Sequence, residues 1–443
     1  MLKKWFLFLV LIWFFPATGL GQKFQLPKEV KSQKINFKLL NNLIVVPLKV
    51  NGTELSFILD SGVGKPILFN ITDKDSVQIN NVSEITIQGI GEGEAIKALS
   101  SSNNSFRMGQ IHNANEHLFV VMDKSLNFSP NLGVPIHGII GFELFRDFVV
   151  EINYSKQFIK FYPHDKYVYK KSKKTSVLPL KIRSRKAYVK AKVFVDEKKG
   201  VPVTMLVDTG SSDAIWLFED ENIVVPEKNY DDYLGKGLGG DIYGKRTRVK
   251  RFSLGGFSLE DAKAAFPEVE MFHNFENLGN RNGSLGGEIL KRFTIVFDYK
   301  KKTMMLRKNT NFNTPFPYNF SGLELQHNGL RYVSESIGNN KTPLHQQTQE
   351  SFGNVQILVE NSTRLSLAPE IIISAIRAGS PAQKAGLQEG DVILAVNGKR
   401  VYRYKLQEIL QLINEKEGEK VRLLIERYNQ DVLYSFVLKN MLK

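Results

Sequence analysis

Two stretches of this chain repeat in the same order at nearly the same spacing, and that repetition limits the possible folds more than any other feature. Asp60-Ser61-Gly62 aligns with Asp208-Thr209-Gly210 at an offset of 148 residues. Further on, "GIIGFELFRDFVVEINYSKQFIKFY" from Gly138 aligns without a gap with "GSLGGEILKRFTIVFDYKKKTMMLR" from Gly283, at an offset of 145. The shared pattern is Gly, two uncharged residues, Gly, a short amphipathic turn, a strand begun by Phe, a polar turn with Tyr, and another strand. A chain built this way is a duplicated domain, with the first copy over residues 33–165 and the second over 174–308. The basic stretch "HDKYVYKKSKKTS" joins them as a linker. Apolar alternations such as "NNLIVVPLKVNG" and "RKAYVKAKVFVDEKKG" precede the Asp-containing segments and read as strands entering tight turns. Long helical periodicity is rare before residue 370, so this part of the chain is mainly β.

Past residue 308 the character changes. "NTNFNTPFPYNFSG" is rich in Asn and Pro and marks a boundary, and residues 309–353 read as a linker or an insertion, with a polar run "GNNKTPLHQQTQESFG" inside it. From 354 to 441 the order is strand, turn, short helix, turn, strand, then an amphipathic helix in "YKLQEILQLINEKEG" and two closing strands around residues 428–431.

The first 21 residues, "MLKKWFLFLVLIWFFPATGLG", have two lysines, an apolar run and then small residues, which is the layout of a secretory signal peptide. The other reading is an uncleaved anchor, against which stands a run shorter than the roughly 20 residues a membrane span needs. No later segment is long and apolar enough to span, so no integral membrane segment is expected after signal removal. With no cysteine in 443 residues the chain has no disulfide, no thiol nucleophile and no lipidated cysteine at the cleavage point. A bacterial periplasm or cell envelope is the expected location, with an extracellular one as the alternative. Without Lys3 and Lys4 the net charge falls from +15 to +13. The lysines are scattered and no nucleic-acid module accompanies them, so a solvated basic surface is expected rather than a nucleic-acid partner.

The chemistry lies in the two aspartates. Asp60 stands in "FILDSGVGKPILF" and Asp208 in "MLVDTGSSDAIWLF", each among large apolar residues. A carboxylate in such surroundings must be paired, hydrogen-bonded or neutralised, because isolated burial costs several kcal/mol. Two Asp residues from equivalent positions of two repeats can meet across a pseudo-twofold axis. There they share one proton and titrate as a unit. Such a dyad activates a water: the ionised partner takes its proton and the protonated partner donates to a substrate carbonyl. Ser61 and Thr209 carry short hydroxyls suited to locking one loop to the other, and Gly62 and Gly210 allow tight backbone beside the acids. The His residues are scattered, with no zinc-ligand spacing, so no metal and no cofactor are expected, and His112, His117 and His137 read as surface or loop residues. A glycosidase would also use two carboxylates, but would not need duplicated Asp-Thr/Ser-Gly loops.

These residues resemble the aspartic proteases, in the retroviral-type (retropepsin-like) branch rather than the pepsin branch. The resemblance covers about residues 33–308 and rests on the motifs at residues 59–62 and 207–210, each followed by a hydrophobic-hydrophobic-Gly element at residues 139–141 and 284–286. It implies two pseudo-twofold-related acid-protease β-barrel lobes, an active endopeptidase with Asp60 and Asp208 catalytic, and Ile140, Gly141, Leu285 and Gly286 supporting the catalytic loops. It also implies a Gly-rich hairpin over the substrate from each lobe, with Gly89, Gly91 and Gly93 as candidates in the first and Gly237, Gly239 and Gly240 in the second. Polypeptides in extended form are the implied substrates. Ser61, Val63, Gly64 and Ser284 depart from the family's usual residues, which puts pocket shape in question. With both halves in one chain, a monomer is expected.

"AGSPAQKAGLQEGDVILAVNGKRV" resembles the core of a bacterial PDZ domain, an α+β fold that takes an extended peptide or C-terminus as an added strand. Its groove is expected beside Leu367, Ile371, Ile372 and Ile373, with the carboxylate loop at "SLAPE" or, alternatively, at the earlier "SGLELQ" followed by a long insertion. In a second reading the PDZ only braces the lobes. The rival for the whole chain is a catalytically silent two-lobed peptide-binding protein with a PDZ scaffold.

Overall fold

The computed structural model describes residues 23–442 apart from 73–74, 90–94, 124–125, 170–171, 197–199, 269–280, 337–348, 353–354 and 359–362. The proposed signal peptide and the candidates Gly91 and Gly93 therefore lie outside the described residues.

Each repeat folds in the same way. In the first lobe the hairpin Leu43–Val50 and Thr53–Leu59 turns through Asn51 and Gly52, whose φ values of 48° and 94° need the two residue types that tolerate left-handed backbone. Thr53–Leu59 then runs parallel to Gly138–Ile140, with Phe57 opposite Gly138 and Leu59 opposite Ile140. Ile67–Leu68 lies antiparallel on the far side of Gly138–Ile140 and continues parallel to Ile111–Val121. The second lobe repeats every step: Lys186–Phe194 pairs with Val201–Val207, which runs parallel to Gly283–Leu285 with Val207 opposite Leu285. Ile215–Leu217 again closes the far side and runs parallel to Phe257–Pro267. In both lobes the strand carrying the Asp is thus wedged against a strand from about 80 residues later in the chain, which fixes where the Asp emerges.

The lobes are joined beneath by one sheet. Val149–Asn153 pairs antiparallel with Phe293–Asp298, Val150 opposite Phe297 and Ile152 opposite Ile295, and Phe158–Tyr162 and Thr303–Lys308 flank them. Gln33–Asn36 closes one edge, and at the other Thr175–Arg183 pairs on into Lys186–Phe194 of the second lobe. One hydrophobic core runs through this sheet into both lobes and contains Phe57, Phe145, Phe161, Phe293 and Phe297. Phe24 is part of it, so the first lobe begins before residue 33. The basic linker is not free: Tyr167 and Tyr169 pack with Tyr162 on Val149, Val296 and Met305.

The C-terminal domain has its own core, including Leu323, Leu325, Ile371, Ile373, Ile393, Leu406, Ile409 and Ile425. Its sheet runs in the order Leu323–Ser336, Thr363–Ile376, Val392–Val396, Lys420–Arg427, Gln430–Val437. Two expectations change as a result. The domain opens before 354, because the strand Leu323–Ser336 pairs along its length with Thr363–Ile376, which fits the alternative in which "SGLELQ" opens the domain and a long insertion follows. The groove is also displaced: Ile371 and Ile373 point into the core, and the backbone of Thr363–Ile376 is paired on one side by Leu323–Ser336 and at Ile372 by Val392 on the other. The outer strand on this side of the sheet is Leu323–Ser336, which the first lobe partly covers, Gly133 lying against His327 and Leu406, while Leu367 is exposed on the neighbouring strand.

Candidate active site

The two Asp loops meet at the pseudo-twofold axis. Asp60 N–H donates to the Ile140 carbonyl at 2.8 Å and Asp208 N–H to the Leu285 carbonyl at 3.0 Å, so each hydrophobic-hydrophobic-Gly element holds the start of its loop. The loops then grip one another through four buried hydrogen bonds. Ser61 N–H donates to Thr209 Oγ1 at 2.9 Å and Ser61 Oγ to the Val207 carbonyl at 2.7 Å. Thr209 N–H donates to Ser61 Oγ at 3.1 Å and Thr209 Oγ1 to the Leu59 carbonyl at 2.8 Å. Serine has the hydroxyl this exchange needs, so Ser61 costs the first lobe no bond. Further out the crossing is repeated less symmetrically: Asn42 Nδ2 donates to the Ser212 carbonyl at 2.7 Å, and Arg185 Nη1 to the Gly64 carbonyl at 3.1 Å.

Within this frame Gly62 N–H donates to Asp60 Oδ1 at 2.6 Å, and Gly210 N–H to Asp208 Oδ1 at 3.0 Å. The glycines lie against the acids. A Cβ on Gly62 would stand 3.0 Å from Asp60 Oδ1 and 3.1 Å from Asp208 Oδ1, and one on Gly210 would stand 2.3 Å from Asp60 Cγ. Burial, then the charge and hydrogen bond of Asp208, push the Asp60 carboxyl well above the usual carboxylate range, while the Gly62 N–H and Lys186 oppose them. That is the behaviour of two carboxyls holding one proton. Gly141 and Gly286 have no room for a side chain: a Cβ would lie 1.7 Å from the Asp60 carbonyl oxygen in one case and 2.3 Å from that of Asp213 in the other.

Several neighbours escape a sequence reading. Lys186 is half-buried; burial and Arg281 push its ammonium down against the pull of Asp208 and Asp60. Arg281 Nε donates to the Gly283 carbonyl at 3.0 Å, its Nη2 bonds Ser284 Oγ, and its guanidinium lies 5.3 Å from the Phe218 ring centroid. This accounts for Ser284 where the family has a large apolar residue. Glu143 and Glu288 are both buried and stand at the same offset of 145, so the repeat alignment itself carried their signal. Neither His117 nor His137 is a free surface group: His117 Nε2 bonds Ser100 Oγ at 2.7 Å, and His137 Nδ1 accepts from Ser56 N–H at 3.1 Å.

The flap candidates divide. Gly89 of the first lobe touches the tip of the second-lobe hairpin formed by Tyr230–Gly237 and Gly240–Leu254; a Cβ there would lie 2.4 Å from Leu238 Cβ and 2.6 Å from Gly239 N. Leu238 in turn packs, as Val63, Ile85 and Ile87 do, on a buried first-lobe cluster that includes Leu43, Val45, Ile58 and Ile67. Gly240 has a φ of 114°, which the tight tip requires.

Two lobes with paired Asp loops, wedged strands and a common basal sheet define the acid-protease architecture. Residues 46–144 and 189–289 each match the family described as aspartyl protease, and residues 372–427 match the PDZ domain. The chain thus carries the retropepsin-like aspartyl protease fold twice, followed by a C-terminal PDZ domain. Among solved structures it is similar to an aspartic proteinase from Irpex lacteus, with TM-score 0.42 and 12% identity over 64% of this chain and 99% of that one. Curated relatives include a probable CtpA-like serine protease of Staphylococcus haemolyticus, 40% identical over 62 residues, which are 14% of this chain and 12% of that protein. A probable periplasmic serine endoprotease, DegP-like, of Chlamydia trachomatis is 38% identical over 87 residues, 19% of this chain and 17% of that protein. The carboxy-terminal processing protease CtpA of Bacillus subtilis is 45% identical over 58 residues, 13% of this chain and 12% of that protein. The chain therefore spans less than a fifth of the length of these curated relatives.

Proposed function

We propose that the protein is an aspartic endopeptidase acting on extended polypeptide segments. The observation that carries this reading is the pairing of Asp60 and Asp208, each held by its own glycine N–H inside a reciprocal hydroxyl grip. A water between the two carboxyls loses a proton to the ionised one and attacks the scissile carbonyl, whose oxygen takes a hydrogen bond from the protonated one. The proton then passes to the leaving amine. Because Asp60 stays protonated well above the usual carboxylate range, activity persists above the pH at which an ordinary carboxyl ionises and falls as pH rises through the raised value. The serine-protease names belong to proteins of which this chain spans a small part, and their catalytic type is a statement about them.

Both carboxyls come from one chain, so a monomer suffices. The leader-like residues 1–21 support export to a bacterial envelope. For the PDZ a bracing role is favoured by one observation. The N–H groups of Ser321, Gly322 and Leu323, in the loop opening its edge strand, are taken by Asn414 Oδ1, Asn319 Oδ1 and Ser321 Oγ rather than left for a carboxylate. Beside that edge, Gln407 Nε2 donates to the Leu132 carbonyl of the first lobe at 2.9 Å.

The test is digestion of a denatured protein and a peptide library by wild type, Asp60→Asn and Asp208→Asn, with and without a statine-type transition-state analogue. Loss of about a thousandfold or more in either variant is expected. Cleavage that survives in both variants sinks the dyad assignment.

A further inference from the structure

A buried guanidinium of the PDZ domain reaches the second lobe of the protease. Arg377 follows the strand Thr363–Ile376; its Nε donates to Asp232 Oδ1 at 3.0 Å, its Nη1 to the Asn319 carbonyl at 3.0 Å, and its guanidinium lies 4.3 Å from the Tyr230 ring centroid. Asp232 Oδ2 accepts from Arg246 Nε at 2.7 Å, and Arg246 Nη1 donates to Asp213 Oδ1 at 2.8 Å. Asp213 belongs to the loop that begins at Asp208, and its carbonyl accepts from Glu288 N–H at 3.2 Å. Asp232 and Arg246 stand on the two strands of the hairpin whose tip meets Gly89. An alternating chain of charges thus runs from the PDZ through the hairpin to the catalytic loop of the second lobe.

Its members are shielded from water: the Arg377, Asp232, Arg246 and Asp213 side chains are 2%, 11%, 12% and 8% exposed. In such surroundings a charge that loses its partner drags its neighbours into new positions, because solvent is not at hand to replace the lost bond. Without Arg377, Asp232 keeps, among the described residues, the ion pair with Arg246, which already serves Asp213. The planar fork also matters, since one guanidinium holds Asp232 and Asn319 at once, which an ammonium holds with poorer geometry.

We propose that Arg377 is a positioning residue for substrate cleavage: through Asp232 and Arg246 the PDZ domain sets the pose of the second-lobe hairpin, and with it how tightly an extended peptide is held. The role rests on the protease reading of the dyad, but the pose of the hairpin can be measured apart from catalysis. Full-length wild type, Arg377→Gln and Arg377→Lys are compared by steady-state kinetics, statine affinity, melting temperature and hydrogen exchange over residues 230–254. Arg377→Gln is expected to raise KM and weaken the statine by about tenfold each, with kcat within about twofold, and Arg377→Lys to recover part of the loss. Exchange should quicken in the hairpin and stay unchanged in Thr53–Leu59. Unchanged KM and hairpin exchange overturn the proposal, as does faster exchange spread evenly over the whole protein. If wild type cleaves nothing, a hairpin-confined change keeps the positioning role while the protease reading falls, and no such change removes both. If Arg377→Gln does not fold, Arg377→Lys is read against the same outcomes.

Discussion

The lobes share a backbone plan and differ in how they treat one buried glutamate. In the second lobe Glu288 has Lys263 Nζ at 2.9 Å, Lys263 lies 3.4 Å from Asp213, and Arg246 completes the set at 2.8 Å from Asp213. In the first lobe Lys65 stands 4.0 Å and Arg185 3.9 Å from Glu143, Arg146 adds to their pull, and Glu143 faces a second buried acid, Glu116. The polarity is exchanged at one site: the sixth residue of the loop is Lys65 in one copy and Asp213 in the other. Duplication therefore preserved the hydrogen-bonded frame of the dyad while the charges around it drifted. The second lobe is compensated by short ion pairs and tied to the PDZ, and the first is left with a surplus of buried carboxyls.

Lys263→Met should break this comparison most severely. It strips Glu288, which is fully buried, of its close cation, a loss that for buried pairs costs about 3–5 kcal/mol. Lys65→Met removes a contact already at the limit of an ion pair and should cost under about 1 kcal/mol. Urea unfolding of the two variants measures the gap, and equal losses would show that the lobes are compensated alike.

Next comes the response to pH, in which the lobes should differ in sign. Burial, then Glu143, pushes the Glu116 carboxyl from its ordinary 4.5 up to about 7, although Lys65, the His117 N–H and Asn113 oppose this. An acid whose folded value lies above its unfolded one binds more protons when folded, so its contribution is intact below about pH 4.5 and fades as pH rises toward 7, by about 3 kcal/mol. Burial also pushes Asp213 up, but Arg246, Lys263 and the Trp216 N–H outweigh it and bring the carboxyl from 3.8 to about 2. Its stabilisation is present above pH 3.8 and is lost as pH falls toward 2, by about 2 kcal/mol. Melting temperatures against pH should lose part of their decline between pH 5 and 7 in Glu116→Gln, and part of their acid decline in Asp213→Asn; slopes indifferent to both changes would contradict the assignment.

What the sequence made legible, and what it did not, follows the same division. The Asp loops, the hydrophobic-hydrophobic-Gly elements and the basal strands are local patterns at fixed offsets, so a self-comparison finds them. Ion pairs such as Arg377 with Asp232 or Lys263 with Glu288 join residues far apart in the chain and obey no period, so nothing in one sequence marks them. The PDZ edge strand escapes for a related reason: a long polar segment separates Leu323–Ser336 from its partner Thr363–Ile376, and the domain reads as beginning with the strand nearer its recognisable core. In the linker, the lysines dominate the composition, but it is Tyr167 and Tyr169 that pack against the sheet. Val63-Gly64-Lys65, a departure from the family pattern, marks the very place where the first lobe's electrostatics diverge.

The smallest expected difference concerns the glycines over the dyad, and it tests whether the frame is as symmetric as its hydrogen bonds. Gly210 has no spare room: an added methyl would overlap the Asp60 carboxyl at 2.3 Å from Cγ and 2.4 Å from Oδ2, and that carboxyl cannot retreat while it holds the Gly62 N–H. Gly62 meets its nearest atoms at 3.0–3.2 Å, contacts that a shift of a few tenths of an ångström relieves. Gly210→Ala should therefore displace Asp60 and lower kcat/KM by about 100-fold, whereas Gly62→Ala should lower it by under about tenfold. Because the grip through Ser61 and Thr209 is untouched in both, each variant should melt close to wild type. Equal losses of activity would mean that the two carboxyls move together as one rigid pair, and the asymmetry between the lobes would then stop short of the dyad itself.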